Sequence, residues 1–216
     1  AVVNPSFVGI NGAARLLDIA TRPVPESEDG HGLDCDALER LCVEARDGGR
    51  RIRAVYVSPD FSNPSGSLMS LAERLRLLQL ADAYGFLILE DNAYGFTAEQ
   101  DSALPTLLAL DERQAEGRGR VIYLGTCAKI CVPGLRVGFV VAGQRVDRDD
   151  GDSGTLADEL ATLKSMVTVN TSPLCQAMVA GLLLEHGGSL DAIARPKAAL
   201  YRRNLETLLR ALQRRL

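Results

Sequence analysis

Short runs of Val, Ile and Leu alternate along this chain with longer segments of helical periodicity, and this alternation restricts the fold more than any other feature. Apolar runs of this kind are typical of strands that are buried on both faces, which occur mainly in parallel sheets covered by helices. The pattern therefore predicts an α/β protein with a mostly parallel sheet. Strong strands are predicted at 53–58, 86–91, 121–125 and 136–142, and weaker ones at 1–3 and 15–19.

The helix between the first two strong strands has the clearest predicted ends. Ser70 and Glu73 have the spacing of a capping box, in which each side chain binds a free backbone N–H of the first turn. Apolar residues then recur on one helical face, and Gly85 can adopt the left-handed conformation that ends a helix. Strand, helix and strand together predict a right-handed βαβ unit.

A charged, glycine-containing stretch at 144–154 interrupts the hydrophobic pattern and predicts an exposed loop that could act as a hinge. Beyond it, helices are predicted at 155–167, at 173–186 and from about 190 to the end. The chain is accordingly divided into an α/β core, 1–150, and a helical segment, 151–216.

Composition excludes several classes of function. The net charge of −4 and the dispersed Arg residues leave no basic surface for nucleic acid. No apolar run is long enough to span a membrane and the first residues do not form a secretory signal, so a soluble, cytoplasmic protein is expected. The five cysteines lack metal-site spacing and are expected to be reduced, while His31 and His186 are expected at the surface, so no metal is predicted.

Four polar elements lie at or just beyond the ends of predicted strands, where open α/β sheets bind ligands. In such a place a carboxylate can hold a cationic ring nitrogen, a phenol can contact a neighbouring oxygen, and a guanidinium can bind a phosphate with two hydrogen bonds. Three of the four elements also have a purely structural interpretation: a turn at 63–66, a helix cap at Asp91, or a solvent-directed amine at Lys129. The elements are NPSG at 63–66, EDNAY at 90–94, TCAK at 126–129 and PGLRVG at 133–138.

In this order, the segments SPDFSNPSG, LADAYGFLILEDNAY and VIYLGTCAKICVPGLRVGF resemble the class I/II aminotransferases of fold type I, and most closely the 2-aminoadipate and arylglycine transaminases. The resemblance runs from about Asn4 to Leu216. It implies pyridoxal 5'-phosphate (PLP) as cofactor, with the core of a three-layer, PLP-binding large domain in 1–150. Residues 151–216 would then lead towards a small domain.

The resemblance also implies roles in catalysis. Lys129 corresponds to the lysine that holds PLP covalently and moves a proton at the substrate α-carbon. Asp91 corresponds to the carboxylate that keeps the pyridine nitrogen protonated. Tyr94 and Asn63 correspond to the pair that binds the phenolic oxygen of the cofactor.

Three further residues correspond to groups that hold the cofactor. Arg136 and Thr126 match phosphate ligands, and Phe7 matches the aromatic residue that stacks on the ring. Two residues depart from the usual motif, since Ala128 stands where Ser is frequent and Ser65 where Thr is. Neither change is expected to prevent PLP binding.

The reaction implied is amino-group transfer between an amino acid and a 2-oxo acid, in amino-acid metabolism or biosynthesis. A homodimer is implied, in which the segment 170–172 approaches the partner's site. The alternatives are another PLP outcome (oxidation, cyclisation, elimination or decarboxylation) and an aminotransferase-like sensor domain of a transcription regulator. Because the phosphate-binding turn and the substrate-carboxylate Arg of the family have no counterpart here, the chain is expected to be a piece of a longer enzyme that alone binds PLP weakly.

Overall fold

A mostly parallel sheet of six strands forms the centre of the computed structural model, which describes residues 1–30, 32–98, 103–114, 119–147, 151 and 153–215. The strands are β1 (Val2–Asn4), β2 (Pro23–Pro25), β3 (Ala54–Val57), β4 (Leu87–Asn92), β5 (Val121–Thr126) and β6 (Gly138–Val141). The strand order is β2-β1-β3-β4-β5-β6, and only β6 runs antiparallel to its neighbour, β5. The predicted α/β class is confirmed.

Helices cover the sheet and extend beyond it. Within the described residues the helices are α1 (Val8–Leu16), α2 (Cys35–Asp47), α3 (Leu71–Tyr84), α4 (Leu107–Gln114), α5 (Cys127–Ile130), α6 (Leu156–Thr168), α7 (Pro173–Glu185) and α8 (Asp191–Gln213). The main apolar core lies where α2, α3 and α4 meet β3 and β4, around fully buried Leu38, Leu77 and Ile88. A second cluster joins α5 to α7 through Cys127, Cys131 and Val179.

The helix α3 has both predicted ends. The Ser70 hydroxyl accepts a hydrogen bond from Glu73 N at 3.3 Å, and the Glu73 carboxylate accepts one from Ser70 N at 2.8 Å. Gly85 ends the helix with a φ of 71°. Side-chain caps of this kind are visible in sequence because donor and acceptor lie within one turn.

The weak strand predicted at 15–19 is wrong. Residues 8–16 form α1, and Leu16 and Leu17 at its end are 88% and 70% exposed. Ile10, Ala13 and Ala14 have the i, i+3, i+4 spacing of a helix, which continues to Leu16, so the predicted strand does not form. The place beside β1 is taken by β2, whose Val24 pairs with Val3.

Two boundaries near the end of the core also differ from the prediction. The strand expected at 136–142 begins only at Gly138, because Arg136 is in the left-handed region, with a φ of 53°. Within the stretch predicted as a loop, Arg145–Asp147 and Ser153–Thr155 pair as a two-stranded antiparallel ribbon, β7 and β8. Residues 148–150 and 152 of that stretch lie outside the described residues.

The helical segment follows the prediction closely, since α6, α7 and α8 begin and end within a few residues of the expected positions. His186 ends α7, ahead of two glycines with positive φ, and is partly exposed. His31 lies outside the described residues. The five cysteines are free thiols.

None of the helices in the described part of the chain combines the length and apolar character needed to cross a bilayer.

Candidate active site

A cavity of about 430 Å³ lies beyond the carboxyl ends of β1, β3, β4 and β5. Parallel strands bring these ends to one edge of the sheet, so polar residues that are far apart in sequence meet there. All seven residues assigned to the cofactor from the sequence line this cavity: Phe7, Asn63, Asp91, Tyr94, Thr126, Lys129 and Arg136.

Alternation along β4 separates its two carboxylates, since successive side chains of a strand point to opposite faces. Glu90 is fully buried and accepts hydrogen bonds from Leu107 N at 2.8 Å and Leu108 N at 2.9 Å, at the start of α4. Burial raises the pKa of Glu90, although these two hydrogen bonds oppose the shift. Asp91 is half-buried and lines the cavity.

The turn after β4 is bound at its start by a side chain, and that side chain is Asn92. The side-chain oxygen of Asn92 accepts a hydrogen bond from Gly95 N at 2.9 Å, at the start of a single 3-10 turn, Gly95–Thr97. The interpretation of Asp91 as a helix cap is therefore wrong. Its carboxylate is available for another partner.

Tyr56 is that partner within the protein, and the sequence analysis did not identify it. Its phenol donates a hydrogen bond to Oδ2 of Asp91. Burial, together with this hydrogen bond and the charge of Asp91, raises the pKa of Tyr56 well above its ordinary value. No other donor among the described residues contacts the Asp91 carboxylate, so Oδ1 remains open. The available signal was a Tyr inside a buried strand, because a buried phenol usually requires a hydrogen-bond partner.

Lys129 lies on the one-turn helix α5, which follows β5 directly. The Thr126 hydroxyl begins this turn by accepting a hydrogen bond from Ala128 N at 3.1 Å, and its own O–H remains available as a donor. Nζ of Lys129 lies 5.5 Å from the centroid of the Tyr94 ring, within the range of a cation–π interaction. Lys129 lines the cavity, and no carboxylate in the described part of the chain forms an ion pair with its amine.

Asn63 lies on the turn that the sequence predicted. Gly66 N donates to Ser62 O at 2.6 Å, and Gly66 has a φ of 75°. The hydroxyl of Ser65, within the turn, donates a hydrogen bond at 2.6 Å to Glu26, which lies just after β2. The turn interpretation and the functional one are compatible, because the turn places Asn63 on the cavity wall.

Arg136 and Phe7 are the remaining two of the seven cavity residues. Arg136 is exposed and has no ion pair among the described residues, which leaves its guanidinium open to an anion. Phe7 is 47% exposed, and its ring occupies the space above Gly9. A Cβ at Gly9 would lie 2.3 Å from the ring, so glycine is required there if Phe7 is to keep this position.

Residues 1–211 match the model of the family described as aminotransferase class I and II. The chain belongs to this family. It is 45% identical over 212 residues to the (S)-3,5-dihydroxyphenylglycine transaminase of Amycolatopsis orientalis, with 98% of this chain and 45% of the relative aligned. It is 35% identical over 210 residues to the 2-aminoadipate transaminase of Thermus thermophilus, with 97% of this chain and 47% of the relative aligned.

The fold comparison agrees with the family. The kynurenine aminotransferase of Pyrococcus horikoshii, solved in complex with PMP, superposes with a TM-score of 0.82 at 28% identity, over 98% of this chain and 48% of that one. This aminotransferase chain therefore spans about half the length of the relatives it matches.

PLP is the cofactor of class I and II aminotransferases, and the residues around the cavity fit its functional groups. Lys129 offers an amine for the aldehyde carbon, Asp91 an anionic acceptor for the ring N–H, and Arg136 a guanidinium for the phosphate. Tyr94 and Asn63 offer hydrogen-bond donors for the ring oxygen.

Proposed function

We propose that the protein transfers an amino group between an amino acid and a 2-oxo acid, with PLP held at the 430 Å³ cavity. The observation that carries the proposal is that Lys129, Asp91 and Arg136 line one cavity although they lie on three separate segments. An amine, a carboxylate and a guanidinium that form no ion pair among the described residues leave three charged groups at one cavity, which a ligand carrying an aldehyde, a ring N–H and a phosphate can use together.

Each residue contributes a distinct interaction. Lys129 would hold the cofactor covalently, and its amine would accept and return a proton at the substrate α-carbon. Asp91 would keep a proton on the ring nitrogen, and Tyr56 donates a hydrogen bond to one of the Asp91 oxygens. Arg136 and the Thr126 hydroxyl would bind the phosphate, Tyr94 and Asn63 would bind the ring oxygen, and Phe7 would stack on the ring.

When bound, PLP supplies an electron sink for the negative charge that remains after a bond to the substrate α-carbon breaks. The protein controls which bond breaks and where the proton goes. Lys129 is the residue proposed to move that proton, since it lines the cavity, has no carboxylate partner among the described residues and has its Nζ 5.5 Å from the centroid of the Tyr94 ring.

The test uses the fact that the chain contains three lysines: 129, 164 and 197. The full-length protein is incubated with PLP and reduced with borohydride, and the labelled peptide is identified by mass spectrometry. The label is expected on Lys129, and Lys129→Ala should lose both the label and the visible absorbance band. Amino-group transfer should fall by more than about a thousandfold. Lys164→Ala, an exposed residue of α6, is the matched control and should keep both.

Product analysis separates the reaction from its alternatives. Pyridoxamine phosphate should accumulate when the protein is incubated with an amino acid and no 2-oxo acid. A different product without pyridoxamine phosphate would contradict transamination and favour another PLP reaction. Cofactor binding without any product would favour a sensor domain.

The proposal extends to the setting of the enzyme: a cytoplasmic homodimer in amino-acid metabolism, with the large-domain core in 1–150 and the helical connection in 151–216. Support comes from α6 and α7, where Leu163, Met166, Val167 and Leu174 are between 62% and 82% exposed. Apolar surface of this extent is typical of a face covered by other protein. Light scattering of the full-length protein should give twice the monomer mass.

A further inference from the structure

A lysine outside the candidate site holds the far end of the turn that carries Lys129. Lys197, on α8, donates hydrogen bonds from Nζ to the backbone oxygens of Ile130 and Cys131. These are the last carbonyl groups of α5, which have no partner within the helix itself. No carboxylate among the described residues pairs with Lys197, so the two carbonyls are its principal contact.

The α5 turn is too short to hold its own shape. It contains four residues, and a single helical turn is unfavourable in isolation because the chain loses more conformational freedom than one hydrogen bond returns. External contacts must therefore hold it. Thr126 binds its first turn through Ala128 N, and Cys127 and Cys131 pack against Val179 of α7.

The contact with Lys197 completes this support at the carboxyl end. Ala194 and Ala198, on the same part of α8, are 6% and 9% exposed, so small side chains let α8 lie close to its neighbours. One turn further along, the Tyr201 ring lies 6.3 Å from the ring of Phe96, on the 3-10 turn that follows Tyr94. One face of α8 thus contacts both the Lys129 turn and the Tyr94 turn.

We infer that Lys197 is a positioning residue that holds the α5 turn so that the amine of Lys129 points into the cofactor cavity. This inference rests on the proposed function of Lys129. Lys197 does not line the cavity, so it acts through the backbone of α5 and not through contact with the cofactor. The expected consequence is specific: without Lys197, PLP still binds through its phosphate and ring contacts but attaches to Lys129 slowly.

The experiment measures binding and attachment separately in the full-length protein. Bound PLP is quantified after gel filtration, and attachment is followed by the growth of the visible band and by borohydride labelling of Lys129. In Lys197→Met the attachment rate per bound PLP should fall roughly tenfold. Lys197→Arg, which can donate to both carbonyls, should stay within about threefold of the unsubstituted protein. Lys164→Met, which removes an exposed lysine of α6, is the control.

A second measurement needs no cofactor. In the PLP-free protein, amide hydrogens of 127–131 should exchange faster in Lys197→Met than in Lys164→Met, while those of α3 should not change. If Lys197→Met does not fold, Lys197→Leu, which also lacks a hydrogen-bond donor, replaces it in both measurements.

The outcomes distinguish the two proposals. The role of Lys197 would be overturned, and the proposed function left standing, by equal attachment rates in Lys197→Met and Lys164→Met. It would also be overturned if Lys197→Met lost bound PLP to the same extent as it lost attachment, so that the rate per bound PLP did not change. No label on Lys129 in the unsubstituted protein would overturn the proposed function, and the positioning role with it.

Discussion

Glu90, Asp91 and Asn92 are three consecutive polar residues with three different tasks. Glu90 binds the start of α4, Asp91 faces the cavity, and Asn92 caps the following turn. The pleat of β4 sends neighbours to opposite faces, so a one-residue shift of register would exchange the buried carboxylate for the cavity one. The chemistry assigned to Asp91 therefore depends on the register of the strand.

Replacing Asp91 with Asn tests this assignment at a single side chain. Asparagine can still accept the hydrogen bond from Tyr56, but it has no negative charge to hold a proton on the ring nitrogen. A charge-assisted hydrogen bond contributes about 1.5–3 kcal/mol, so kcat should fall roughly tenfold to a hundredfold while PLP still labels Lys129.

Tyr56→Phe is the matched control, because it removes the donor and keeps the carboxylate. Its kcat should fall less than that of Asp91→Asn. Should the two variants lose equal activity, the hydrogen-bonded pair and not the charge of Asp91 would be the important feature.

Among the secondary-structure elements, α4 is held at its first turn by a side chain from an earlier part of the chain. Both of the first two amides of this helix donate to Glu90, which lies 17 residues earlier in the chain. Glu90→Ala would leave these two N–H groups buried without a partner and should lower the free energy of unfolding by about 1–3 kcal/mol per group.

The titration of Glu90 should also make stability depend on pH. Because burial raises its folded-state pKa above the ordinary 4.5, the protonated form favours folding. Its contribution is fully present below pH 4.5 and is lost as the pH rises through the raised value. The free energy of unfolding of the unsubstituted protein minus that of Glu90→Gln, measured with urea, should therefore decrease from pH 4.5 upwards.

The control for this titration is Glu112→Gln, an exposed position on α4 itself. The difference in free energy of unfolding between the unsubstituted protein and Glu112→Gln should not show the same pH dependence. If the free energy of unfolding of the unsubstituted protein minus that of Glu90→Gln increased with pH, the two amide hydrogen bonds would affect the pKa of Glu90 more than burial does.

For the molecule as a whole, binding of PLP should appear as added stability. A ligand that binds only the folded state stabilises it by about 2.7 kcal/mol at one hundred times its Kd. PLP should therefore raise the Tm of the full-length protein, and by more than pyridoxal, which lacks the phosphate.

Arg136→Leu should reduce this difference between PLP and pyridoxal, because the guanidinium is the proposed phosphate ligand. Arg40→Leu, which removes an exposed guanidinium of α2, should leave it unchanged. If PLP still raised the Tm of Arg136→Leu by as much more than pyridoxal as in the unsubstituted protein, the phosphate would have to bind elsewhere in the site.

Local sequence was sufficient for the features whose causes lie within a few residues. The capping box of α3, the strands at 54–57, 87–92 and 121–126, and the order of the four motifs follow from short-range periodicity and turn chemistry. The family resemblance then indicated which seven residues should converge, and all seven line one cavity.

Long-range packing decided the rest. Tyr56 donates to Asp91 across 35 positions of sequence, and Glu90 binds the first amide of α4 across 17 positions. Lys197 binds the last carbonyl groups of α5 across 66 and 67 positions. No periodicity within a segment encodes such contacts, because they exist only once the sheet and α8 bring the partners together. The position of β2 beside β1 is a long-range contact of the same kind, because Val24 pairs with Val3, 21 residues earlier in the chain.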